Sequence, residues 1–245
     1  MGKILAVVSG KGGVGKTTIC ACLAVCLARA GQRVLCIDAD MGLRNLDLSL
    51  GMGQEPVLPF TAVMRGEYPL SCAAVHPRYA DLHFLTAPVT ETPEQIDMPL
   101  LGSLLEQVRE EYDWCLMDAP AGVGAGFRLA VTFADQVLVV TGGEPAALRD
   151  GAKAVRCLEE YSQAEAKVVV NRLRSKIFRR TRFTVDDCMD AVGLPLLGMV
   201  PEDEAVTFAA AAGHALTRRK KKGAVHACEN IAQRLLGKKQ PLLKL

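Results

Sequence analysis

The chain has 245 residues, 50% of them hydrophobic and 23% charged, with 29 basic residues against 27 acidic and a formal net charge of +2. That length and balance exclude a disordered tail and a fibrous repeat, and they suit one large α/β domain with a sizeable core. The longest mainly apolar stretch, residues 19–28, is too short to cross a bilayer. Met1-Gly2-Lys3-Ile4-Leu5-Ala6 leads into a strand-like segment without a signal-peptide cleavage region, so a cytosolic protein is expected.

In chain order, short apolar runs bounded by Gly, Pro, Asp or Asn predict strands at 4–8, 33–37, 82–85, 114–117, 136–140, 167–170 and 196–200. Several are continuously apolar, as strands buried on both faces are. Longer helical patterns fall between them, at 17–30, 93–112, 126–134, 145–161, 184–192 and 224–236. Gly31 closes the first as a C-cap would, and Pro93 and Pro145 sit where a first helical turn tolerates proline. The alternation predicts an α/β fold: a mostly parallel central sheet with helices on both faces, in one domain over 1–245.

Charge is unevenly spread. Residues 1–170 carry 14 basic and 20 acidic residues, net −6, whereas 171–245 carry 15 and 7, net +8. Two segments account for this, the basic stretch over 171–182 and the run Arg218-Arg219-Lys220-Lys221-Lys222. Each is either a solvated loop or a contact for anionic lipid, nucleic acid or an acidic partner. The nine cysteines and four histidines lack the spacing of a zinc or disulfide framework, and the cysteines read as small buried hydrophobes in a reducing compartment.

The strongest signal is Gly10-Lys11-Gly12-Gly13-Val14-Gly15-Lys16-Thr17-Thr18. It follows the first strand, opens the first helix and satisfies G-x-x-x-x-G-K-[ST] in the required context. Glycines let the backbone N–H groups curl toward phosphate oxygens, and the helix presents its positive end to the same anion. Lys16 is placed to reach the β and γ phosphates, and the Thr17 hydroxyl to ligate Mg²⁺. Strand ends in doubly wound sheets face the ligand crevice. Cys36-Ile37-Asp38-Ala39-Asp40 ends the second strand, and Asp38 and Asp40 share a face if the strand continues. Leu116-Met117-Asp118 ends another strand in the Walker B manner, with Asp118 near Mg²⁺.

The second lysine, Lys11, makes this loop resemble the deviant Walker A of the MinD/ParA ATPases. The string Gly42-Leu43-Arg44-Asn45-Leu46-Asp47-Leu48 is more similar to the first switch of the MinD branch than to ParA proteins, and Gly122-Val123-Gly124-Ala125-Gly126 suits a second switch. The resemblance spans roughly residues 3–237. It implies a P-loop NTPase fold, hydrolysis of ATP with Mg²⁺, and an ATP-dependent homodimer. In that homodimer Lys11 crosses to the partner's phosphates. It also implies that Asp38 holds a metal-bound water, that Asp40 orients the attacking water, and that Asn171 and the loop at Pro201 hold adenine. Regulatory partners of the MinC/MinE type and a role in division-site selection or spatial positioning follow from the same resemblance. The alternatives are a DNA-partition or flagellar-placement ATPase that uses the basic segments, a nucleotide-gated adaptor without turnover, and an iron–sulfur carrier, for which the cysteine spacing is wrong. Two departures stand out. After the last expected helix, residues 238–245 include Pro241 and leave no room for the amphipathic membrane helix usual in MinD proteins, so membrane binding is not expected by that route. Around Glu144-Pro145 the usual Pro-Glu order is inverted, in a region that borders partner-binding surface in MinD.

Overall fold

A computed structural model of the protein describes residues 1–174, 178, 180, 184–215 and 223–243. Eight strands form one sheet in the order β3-β4-β2-β5-β1-β6-β7-β8. They are β1 (Lys3–Ser9), β2 (Val34–Asp38), β3 (Ala74–His76), β4 (Tyr79–Leu85), β5 (Trp114–Ala121), β6 (Gln136–Gly142), β7 (Glu165–Leu173) and β8 (Leu196–Pro201). Every neighbouring pair is parallel except β3 with β4. The seven expected strands are all present. The eighth, β3, is a three-residue edge strand turned back on β4 through Pro77 and Arg78, too short to leave a periodic signal.

The helices among the described residues are α1 (Lys16–Arg29), α2 (Leu46–Leu50), α3 (Phe60–Met64), α4 (Met98–Glu111), α5 (Ala125–Val131), α6 (Pro145–Tyr161), α7 (Val185–Val192), α8 (Glu204–Ala211) and α9 (Ala224–Leu235). Side chains alternate across β1. Leu5 and Val7 join the core beneath α1 and α9, while Ile4, Ala6 and Val8 join the core beneath α3, α4 and α5. That is the period of two expected of a strand covered on both faces. Helix α1 buries residues from Ile19 through Ala28 without interruption, because it lies between the sheet and α9 and has no solvent face. The cysteines follow the same logic, and Cys20, Cys22, Cys26, Cys36, Cys115, Cys188 and Cys228 are all buried.

Two expectations are corrected. The helix expected over 93–112 is broken into a 3₁₀ turn, Pro93–Gln95, and then α4. Asp97 restarts the helix by accepting a hydrogen bond from the Leu100 N–H at 3.0 Å, as an N-cap does. The short helices α2 and α3 and helix α8 were not expected. Helices of five residues are not stable alone; α2 and α3 form because Leu46, Leu50 and the whole of 60–64 are buried by the rest of the fold. The run Arg218–Lys222 and much of the basic stretch over 171–182 lie outside the described residues.

Candidate functional site: a phosphate loop beside paired carboxylates

The loop between β1 and α1 wraps the start of α1. Gly15, just before the helix, has φ +88°, a left-handed conformation that favours glycine. A Cβ there would also lie 2.4 Å from the Asn171 side-chain nitrogen. No side chain caps α1, so its first N–H groups have no intrahelical partner and are free to bind an anion. The loop's carbonyls, by contrast, are held from behind. The Ser9 hydroxyl donates to Lys11 O at 3.1 Å, Arg172 Nη1 to Gly13 O at 2.7 Å, and Asn171 Nδ2 to Val14 O at 2.8 Å. Gly10 passes so close to α6 that a Cβ would lie 1.9 Å from Asp150 O. Lys11 is exposed on the rim, and its ammonium has no hydrogen bond or ion pair among the described residues.

The carboxylates come from two adjacent strands. Asp38 of β2 pairs in register with Asp118 of β5, and both are 1% exposed. The Lys16 ammonium, itself buried, donates to Asp118 Oδ1 at 2.6 Å and lies 3.4 Å from the Thr17 hydroxyl. Burial pushes Asp118 above the usual carboxylate range, while the Lys16 ammonium and the Thr17 hydroxyl oppose that rise. Burial, and then the nearby Asp118 charge, raise Asp38 to about 7; two backbone N–H groups work against the rise. Those donors are Asp40 N, at 2.9 Å from Oδ1, and Leu46 N, at 3.1 Å from Oδ2. Asp38 therefore fastens the start of α2 to the end of β2.

Asp40 sits at the head of the following loop. Its Oδ1 accepts from Gly42 N and Leu43 N, each at 3.2 Å. Arg44, at φ +49°, turns its guanidinium to the Thr86 hydroxyl at 3.3 Å. Asp40 and α2 thus belong to one hydrogen-bonded unit, anchored to the buried carboxylates. Beyond β5, Gly122 takes φ +90°, and the loop leads into α5.

A cleft opens beside the loop between the ends of β7 and β8, lined by Gly15, Thr18, Asn171, Arg172, Pro201 and Glu202 among others. Arg174 and Glu202 form an ion pair with a second contact of 2.9 Å. Asn171 is buried. With Nδ2 spent on Val14 O, its Oδ1 keeps its capacity to accept.

The structure therefore brings Gly10 through Thr18, Asp38, Asp40 and Asp118 to one end of the sheet, with Asn171 and Pro201 in the adjoining cleft. Sequence reasoning missed Ser9 and Arg172 as loop anchors. Arg172 was visible only as one charge in a basic stretch, and its φ of +56° leaves no trace in a residue pattern. No cluster of three His, Cys, Asp or Glu among the described residues is arranged to hold a metal unaided. Thr17, Asp38 and Asp118 instead form a hard-oxygen set of the kind Mg²⁺ takes when it keeps waters and phosphate oxygens as its other ligands.

Sheet order, loop and carboxylates together define a P-loop nucleoside triphosphatase with a second lysine in its phosphate loop. The family model described as an AAA domain matches residues 2–169. The septum site-determining protein MinD of Synechocystis is 38% identical over 99% of this chain and 92% of that protein. Among solved structures, the MinC:MinD cell division protein complex of Aquifex aeolicus superposes with a TM-score of 0.90 at 33% identity, covering 99% of this chain and 98% of that one. MinD of Pyrococcus horikoshii complexed with Mg-ADP gives 0.81 at 27% identity, covering 96% of each. The chain belongs to the MinD family of ATPases.

Proposed function

We propose that this protein is an ATP-driven dimerisation switch of division-site selection, built as one domain over 1–245. The observation that carries the reading is Lys11. It lies in the phosphate loop, yet it is exposed and unpaired within the described part of its own chain, as a group meant for a second subunit must be. Lys11 reaches the nucleotide of the partner subunit, so two ATP molecules lie between two copies. The Synechocystis and Aquifex relatives named above support the division role and a MinC-type partner. The placement is cytoplasmic. No helix among the described residues is long and apolar enough to cross a membrane.

The loop N–H groups and Lys16 bind the phosphates. Thr17 and, through water, Asp38 and Asp118 would hold Mg²⁺, which would supply neutralisation of the phosphate charge. Asp40 orients the attacking water. Asn171 and Pro201 seat adenine, with the free Asn171 Oδ1 accepting from its exocyclic amine. Lys16 must leave Asp118 to reach phosphate, which frees the Asp118 carboxylate from its ion pair. Because Asp38 fastens both Asp40 and α2, changes at the γ-phosphate are passed to the exposed Leu43 of the loop and Leu48 of α2, which is how a bound nucleotide is reported to partners. Lys11→Ala tests the reading. It should leave ADP affinity within about twofold while abolishing ATP-induced dimers and hydrolysis; dimers and turnover like wild type would refute it.

A further inference from the structure

The phosphate loop is gripped from outside by two consecutive residues of another strand, 157 and 159 positions away in sequence. Asn171 holds the carbonyl of Val14 and Arg172 that of Gly13. In a trans peptide the carbonyl and the next residue's N–H point in opposite directions. Holding Gly13 O and Val14 O outward therefore aims the N–H groups of Val14 and Gly15 inward, where a phosphate would lie. The Ser9 hydroxyl does the same for the N–H of Gly12 by taking Lys11 O at 3.1 Å.

Arg172 makes its contact at a backbone cost. Its φ of +56° lies in the left-handed region, which a side chain without local polar compensation occupies only at a penalty. From this conformation the guanidinium reaches Gly13 O at 2.7 Å. The neighbouring cation Arg174 is instead paired with Glu202, so the contact to Gly13 O belongs to Arg172 and not to diffuse positive charge.

We propose that Arg172 is a positioning residue that preorganises the phosphate loop. By fixing Gly13 O from the end of β7 it sets the loop's inward N–H groups before the nucleotide arrives. This rests on the ATPase reading and adds a residue which that reading does not use. Without Arg172 the loop is left to be ordered by the nucleotide itself, so the ordering cost falls on binding. Once nucleotide is bound the same N–H groups are engaged, and the chemical step is little changed.

The test uses the full chain with Arg172→Gly and Arg172→Asn, two side chains that accept φ near +56° and cannot reach Gly13 O. The readouts are the Kd of Mg-ADP by calorimetry, competition by inorganic tripolyphosphate, KM and kcat for ATP, and the unfolding midpoint without nucleotide. Both variants should raise the ADP Kd and the ATP KM by roughly tenfold, the factor of one charge-assisted hydrogen bond. Tripolyphosphate should weaken in parallel, kcat should stay within about twofold, and the unfolding midpoint should not fall. Arg172→Lys, which keeps one donor, should recover part of the affinity. Nucleotide affinities within twofold of wild type in both variants would overturn the proposal. So would a loss confined to ADP with tripolyphosphate unaffected, which would place Arg172 on the base, or a fall in kcat with KM unchanged. If wild type binds ADP but does not turn over ATP, the ATPase reading fails while the ADP and tripolyphosphate titrations still decide the role of Arg172.

Discussion

The Lys16–Asp118 contact gives the sharpest energetic prediction. The two side chains are 6% and 1% exposed and meet at 2.6 Å. Deleting one partner of such a buried pair strands the other charge, at a cost of about 3–5 kcal/mol. That is a large part of the roughly 5–15 kcal/mol that holds a protein folded. Lys16→Met and Asp118→Asn should each lower the unfolding free energy of the nucleotide-free protein by that order. The double variant should lose far less than the sum, because neither charge is then left unpaired. The Lys16→Met penalty should also shrink as pH falls. Asp118 is already pushed up by burial, and without its cation it escapes the cost by taking up a proton. Urea unfolding of the three variants at pH 5.5 and 8 measures all of this. Single-variant losses under about 1 kcal/mol, or additivity in the double variant to within about 0.5 kcal/mol, would refute the coupling.

Other outcomes follow from neighbouring geometry. Asp38 is raised to about 7 in the folded protein against about 3.9 unfolded. Between those values the folded state holds a proton that the unfolded state has lost. This group's contribution is therefore full below about pH 4 and declines as pH rises to about 7, with a slope of up to about 1.4 kcal/mol per pH unit. Asp38→Asn should flatten that part of the stability–pH curve without nucleotide, and an unchanged slope would mean that another group sets it. Gly15→Ala places a Cβ 2.4 Å from the Asn171 nitrogen at φ +88° and should weaken Mg-ADP binding at least tenfold, read by calorimetry. Arg174→Ala removes an exposed pair and should change stability by under about 1 kcal/mol, a useful contrast with Arg172.

The sequence carried the parts of the fold that depend on local pattern. Seven strands, most of the long helices and the mostly parallel strand direction follow from apolar runs alternating with longer helical patterns, and the phosphate loop follows from glycine spacing. It carried Asp38, Asp40 and Asp118 as strand-end acids, although not the register that sets Asp38 beside Asp118. Long-range contacts were out of reach. Nothing local marks Asn171 and Arg172 as anchors of Gly13 and Val14, since the grip depends on β7 lying two strands from β1 and on a left-handed residue. The helices α2 and α3 are held by burial and by the Asp38–Leu46 hydrogen bond rather than by propensity. The break at 96–97 depends on a cap whose strength could not be weighed against the helical pattern on either side.

The most direct measurement is the sedimentation of wild type and Asp40→Ala in Mg-ATP and in Mg-ADP, with phosphate release followed in the same samples. A dimer in ATP and a monomer in ADP are predicted for wild type, with the ATP dimer decaying as phosphate appears. Asp40→Ala should hold the dimer and release phosphate at least about a hundredfold more slowly. A wild-type protein that stays monomeric in Mg-ATP, or an Asp40→Ala protein that hydrolyses ATP at the normal rate, would contradict the account.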